Sequence, residues 1–87
     1  MYVVSPQVLR AELDGELVLL NPEIGMYHLV NATGARVIEG FDDGLDTLAI
    51  GERIADKTSG DRTRVVADVD SFVATMLSKG LLQPVGE

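Results

Sequence analysis

Cysteine is absent from the 87 residues, which excludes disulfides, thiolate metal sites and cysteine nucleophiles. Tryptophan is absent too, and a single histidine, His28, leaves few ways to build a metal centre or an imidazole base. Basic residues are scarce: 7 lysines and arginines face 14 aspartates and glutamates, a net charge of −7. Nucleic-acid affinity comes from basic side chains displacing counterions, so the balance argues against a nucleic-acid partner. It suits a basic peptide, and it equally suits a domain that carries charge to stay in solution. No apolar run exceeds four or five residues, whereas a membrane helix needs about 20. The first residues lack a basic, apolar export leader. The expectation is a cytoplasmic protein without membrane contact, and the length predicts one domain over residues 1–87.

What is present is a change of period along the chain. Residues 8–13 alternate, with Leu9, Ala11 and Leu13 on one face and Arg10 and Glu12 on the other. Asp14-Gly15 suits a two-residue hairpin turn, in which both positions take positive φ. Residues 16–21 return as a second strand, so that Ala11 faces Val18 and Leu9 faces Leu20. Pro22-Glu23-Ile24-Gly25 makes another turn, and residues 26–30 form a third strand. In that register Tyr27 and Leu29 are expected on the core face, with Met26, His28 and Val30 pointing away. The second strand is apolar on both faces (Val18 and Leu20, then Leu17 and Leu19), more than a half-solvated sheet requires.

The remainder reads as helical. Asn31 or Thr33 caps a helix ending at Phe41, with Ala35, Ile38 and Phe41 on one side. Asp42-Asp43-Gly44 stops it. Asp46 or Thr47 opens a second helix to about residue 57, turning Ile50, Ile54 and Leu48 inward, although Gly51 costs about 1 kcal/mol there relative to alanine. After Thr58-Ser59-Gly60, residues 61–79 form the longest helix, stopped by Gly80, and residues 81–84 make a short closing segment. Three strands of an antiparallel sheet followed by three helices predict an α+β domain of winged helix-turn-helix type.

On the last helix, Val65, Val66, Val69, Phe72, Val73, Met76 and Leu77 span an arc of about 140° at 100° per residue. Packing on one core needs about 100°. The excess on the Val66, Val73 and Leu77 side is expected to face a partner, with Asp70 on that border and Asp68 on the opposite one. The third strand ends a simple meander, and its edge contains no proline or lysine to blunt strand addition.

The order from Leu20 through Gly25 and Asn31 to Thr33-Gly34-Ala35 resembles the middle of the PqqD-like family of peptide-recognition domains, and the resemblance extends over residues 9–84. It implies a RiPP recognition element, a metal-free and cofactor-free binding protein that captures the leader segment of a ribosomally made precursor peptide by strand addition. Carried onto this chain, it places peptide contacts at Met26, Tyr27, His28, Leu29 and Val30 on the strand, and at Val66, Val69, Asp70, Val73, Met76 and Leu77 on the helix. Free-standing domains of this kind imply lasso-peptide biosynthesis, with a cysteine-protease-like leader peptidase and a cyclase as partners. The family also contains PqqD itself, a chaperone presenting its precursor to a radical enzyme in cofactor synthesis. The chain departs from the commoner family pattern in lacking a tryptophan in the first helix, where Val37-Ile38-Glu39-Gly40 stands.

Rival functions are weaker. Winged-helix domains often bind DNA through the last helix, but here that helix carries Asp61, Asp68 and Asp70 against Arg62, Arg64 and Lys79. Arg36, Arg53, Arg62 and Arg64 form no basic patch and read as solvated. Asp70-Ser71-Phe72 resembles the Asp-Ser-Leu around the phosphopantetheine serine of acyl carrier proteins, yet it falls inside a long helix and follows a β-rich first third. No nucleophile is grouped with a base, so the protein is not expected to be an enzyme. A charge at Val30 or Val73 is expected to abolish peptide capture with the fold intact.

Overall fold

A computed structural model describes residues 1–14, 16–58 and 60–85. The element order is β1 (Tyr2–Val4), β2 (Leu9–Leu13), β3 (Glu16–Asn21), β4 (Met26–Val30), α1 (Ala32–Asp42), α2 (Thr47–Thr58), α3 (Arg62–Ser78) and β5 (Leu82–Pro84). The expected α+β arrangement is present: β2-β3-β4 form an antiparallel three-stranded sheet, followed by three helices. The register is also as expected, with Leu9 opposite Leu20 and Ala11 opposite Val18. Gly15 of the hairpin turn and Ser59 of the α2–α3 loop lie outside the described residues, while Asp14 has φ of 52°.

One pairing was not foreseen. β1 runs antiparallel to β5, Tyr2 opposite Pro84 and Val4 opposite Leu82. Ser5 N–H donates to the Leu81 carbonyl at 3.1 Å, and Tyr2 meets Phe41 edge-on at 5.8 Å. A three-residue strand carries too little period to be read locally, and its partner lies at the other end of the chain.

The helices begin and end by standard chemistry. Asn31 Oδ1 accepts from Gly34 N–H at 2.8 Å, Asp46 Oδ1 from Ala49 N–H at 2.8 Å and Asp61 Oδ1 from Thr63 N–H at 3.0 Å, each satisfying an orphan amide of a first turn. α3 ends in a Schellman motif: Gly80 N–H donates to Leu77 O and Leu81 N–H to Met76 O. α1 ends in the same way through Gly44 and Leu45. Arg53 pairs with Asp43 at 3.1 Å and Arg62 with Asp56 at 4.0 Å, both exposed. Among the described residues no helix is long and apolar enough to cross a membrane.

The inward face of the sheet is the reverse of the one expected. Leu19 and Val30 are 0% and 1% exposed, whereas Tyr27 and Leu29 are 61% and 58% exposed. Period-two alternation defines two faces but does not say which is covered. The connection from β4 to α1 decides it. Only Asn31 separates Val30 from α1, so the helix turns back over the Val30 side. There a Cβ on Gly34 would stand 2.7 Å from Val30 Cγ1. Ile50 and Ile54 are buried as expected, but Leu48 is exposed.

The core joins Leu19 and Val30 to Val37, Ile38 and Phe41 of α1, Ile50 and Ile54 of α2, and Val69, Val73 and Met76 of α3. Gly51 permits the close approach of α2 to α3, since a Cβ there would lie 2.8 Å from Val66 Cγ2. Alanine in a solvated helix is more stable than glycine by about 1 kcal/mol, but overpacking costs about 1–3 kcal/mol. Gly51→Ala should therefore lower stability in urea titration.

Candidate functional site: a groove between an edge strand and a helix

Two strands of the sheet have a free edge, β2 and β4. β2 turns Arg10 and Glu12 toward the helices, and the Arg10 guanidinium makes a bidentate pair with Asp42 of α1 at 2.8 and 2.9 Å. That pair holds the Asp42 carboxyl below its usual value, chiefly through the hydrogen bond. A cleft of about 550 Å³ lies between β2 and α1, with Arg10, Glu12, Glu39 and Asp42 in its lining. Inward-pointing charge is one of the devices that discourage strand addition. β4 lacks it, and its inward residues, Met26, His28 and Val30, face α3 and the start of α1.

Both ends of β4 are fixed relative to the last helix. At its start, Asn21 is 3% exposed: Nδ2 donates to the Gly80 carbonyl at 2.9 Å, and Oδ1 accepts from Glu23 N–H at 3.0 Å. Gly25 then takes φ of 69°, the left-handed value that the tight return into β4 requires. At its end, a Cβ on Gly34 would meet Val30 Cγ1 at 2.7 Å and Phe72 Cε1 at 2.8 Å, so strand, α1 and α3 converge there. Between these anchors the His28 ring meets Phe72 edge-on, with centroids 6.2 Å apart.

Two depressions adjoin this contact, one at Phe72 between the start of α1 and α3, the other at His28 along β4. One, of about 230 Å³, is lined by Asn31, Thr33, Asp68 and Phe72, among others. The second, of about 470 Å³, is lined by residues 25–29 and Lys79. Lys79 Nζ donates to the Tyr27 carbonyl at 3.2 Å and lies 2.9 Å from His28 Nδ1. The Tyr27 main chain therefore points to the outer edge. Main-chain groups of successive residues alternate sides along an antiparallel strand, which puts the Leu29 N–H and C=O on that edge as well. The lysine missing from β4 itself is thus supplied by the end of α3.

His28 lies on the inward face, half-buried, and its pKa is depressed first by desolvation and second by the Lys79 charge. Its neutral ring accepts from Lys79. No group of three His, Cys, Asp or Glu among the described residues is placed to hold a metal ion.

The structure sorts the expected peptide contacts. Met26, Tyr27, His28, Leu29 and Val30 do form an edge strand, but Val30 is in the core. Val69, Val73 and Met76 are also buried. A charge at Val30 or Val73 would thus disrupt the core instead of testing the groove. Val66 packs on Gly51 of α2, Val73 is in the core and Leu77 packs against it. Asp70 is exposed on that same side of α3. The flank toward β4 carries Asp68, Phe72 and Lys79. These positions fall on one side at 100° per residue, so the signal was in the spacing; what it lacked was which flank meets the sheet.

A sequence model of the family described as Coenzyme PQQ synthesis protein D (PqqD) matches residues 16–82, well over half of the chain. The chain belongs to the PqqD family. Two solved structures resemble this PqqD-family chain over nearly their whole length. TbiB1 in complex with the TbiA(beta) leader peptide gives a TM-score of 0.85 at 29% identity, covering 98% of this chain and 99% of that one. A lasso peptide synthetase B1 complexed with the leader peptide gives 0.87 at 23% identity, covering 95% and 98%, a likeness of fold. No curated protein matches the sequence.

Two measurements test the geometry. Asn21→Ala leaves two main-chain groups unpaired and should cost about 1–3 kcal/mol in urea unfolding. NMR titration should place the His28 pKa below 6.5. Lys79→Met should restore only part of the shift, because desolvation is its larger cause. Folded His28 resists protonation more than the unfolded chain does, so its contribution is complete above pH 6.5 and stability falls as the pH drops below that value.

Proposed function

We propose that this PqqD-family chain captures the leader segment of a ribosomally made precursor peptide as an added strand on β4, and presents it to a leader peptidase in lasso-peptide biosynthesis. The observation that carries the reading is the open edge of β4 beside α3, in a fold shared with two proteins whose structures contain a bound leader peptide. Strand addition draws affinity from main-chain hydrogen bonds and selectivity from pockets for alternate side chains. The Tyr27 and Leu29 edge offers the first. The depressions at Phe72 and at His28 offer the second. Val69, Val73 and Met76 act from behind, setting the position of the α3 wall.

On this reading the protein is a cytoplasmic, non-catalytic partner acting as one domain over residues 1–87. It hands the bound precursor to a cysteine-protease-like peptidase, and a cyclase then closes the ring. The family description favours a second reading, a PqqD-type chaperone that delivers its precursor to a radical enzyme in cofactor synthesis. Both use the same groove and differ in the peptide that fills it. Fluorescence anisotropy with labelled lasso leaders and with a precursor of the cofactor-synthesis type separates them by which peptide binds.

Leu29→Pro tests the groove itself. Proline is tolerated in an edge strand where its missing N–H faces solvent, so far-UV dichroism should stay near native. The lost donor and the added ring at the outer edge should weaken leader binding by at least about tenfold, the equivalent of one net hydrogen bond near the top of its usual range. Wild-type affinity in a folded Leu29→Pro variant would remove strand addition at β4.

A further inference from the structure

The groove carries opposite charges at its two ends. Asp68 borders the depression beside Asn31 and Thr33, and Lys79 borders the one beside Tyr27. No carboxylate among the described residues pairs with Lys79. Its Nζ rests instead on two neutral acceptors, Tyr27 O and His28 Nδ1. Arg36, Lys57 and Arg64 likewise lack a carboxylate partner among the described residues, but Lys79 lies in the depression along β4, and nothing opposite in sign stands beside Asp68 in its depression. From residue 68 to residue 79 the helix rises about 17 Å at ~1.5 Å per residue. An extended strand covers that distance in about five residues at ~3.3 Å each.

We propose that the groove selects its peptide by a charge at each end: a basic side chain beside Asp68 and an acidic one beside Lys79, four positions apart so that both fall on the α3 side of the added strand, with an apolar side chain midway between them over Phe72. The incoming carboxylate replaces the neutral acceptors that Lys79 uses in the empty groove, which also frees the Tyr27 carbonyl for the added strand. Antiparallel pairing is the more stable per residue, and β4 runs from the Lys79 end toward the Asp68 end. The basic residue therefore comes first in the peptide and the acidic residue second. This specificity rests on the strand-addition reading above.

Two labelled twelve-residue peptides with the same apolar residues test it by anisotropy at low salt. One has arginine four positions before glutamate, and the other exchanges the two. The wild-type protein should prefer the arginine-first peptide by about tenfold, the two ends together contributing what two exposed ion pairs do. Asp68→Lys alone should shrink the preference, and Asp68→Lys with Lys79→Glu should invert it. Equal binding of both peptides by the wild type and the double variant would overturn the charge code and leave edge binding standing. Failure of both peptides to bind the wild type, with a leader peptide also failing, would remove the strand-addition reading and this inference with it.

Discussion

The spacing between β4 and α3 is set by buried contacts at each end. At one end, Asn21 spends both halves of its amide on main-chain groups, joining the β3–β4 turn to the carbonyl that follows α3. At the other, Val30, Gly34 and Phe72 meet with no room for a Cβ. A buried amide left unpaired costs about 1–3 kcal/mol, and a closely packed contact tolerates little displacement. The middle of β4 is thereby held beside the helix without being covered by it. An edge fixed in that manner loses little freedom when a strand is added, which favours binding.

The two free edges of the sheet differ because their inward residues differ. Arg10 and Glu12 place charge under β2, and the Arg10–Asp42 pair fastens that charge to α1. An exposed pair of this kind contributes only about 0–1 kcal/mol, so it positions the charge more than it stabilises the fold. β4 has His28 and Val30 in the equivalent places, and its edge is guarded by one lysine from the end of α3. A single long side chain is displaced more readily than a paired strand. Under the proposed charge code, opposite charges at the two ends set the direction of the peptide, since electrostatic complementarity acts on register and encounter more than on affinity.

Much of the fold was legible in the sequence because it rests on local chemistry. The Asn31 cap, the Gly25 turn and the stop at Gly80 are decided within a few residues, and the β2–β3 register follows from a short hairpin. The candidate site was legible only in half. Met26–Val30 is an edge strand because a meander ends there, but the flank of α3 that lies toward it, with Phe72 and Lys79, is not the one that the width of the stripe suggested. The stripe on α3 is wide because the helix packs against α2 through Val66 as well as against the sheet through Phe72, and residue spacing does not name the neighbour on each side.

What the sequence by itself determined, then, was the identity and order of the elements, their ends, and the absence of cysteine chemistry. The tertiary structure decided which face of the sheet is buried, which flank of α3 looks onto β4, and where Lys79 comes to rest. Each of these depends on contacts between residues distant in the chain, such as Asn21 with Gly80 and His28 with Lys79. Period and propensity are properties of neighbours along the chain. The burial of one face in preference to another is a property of the packed whole.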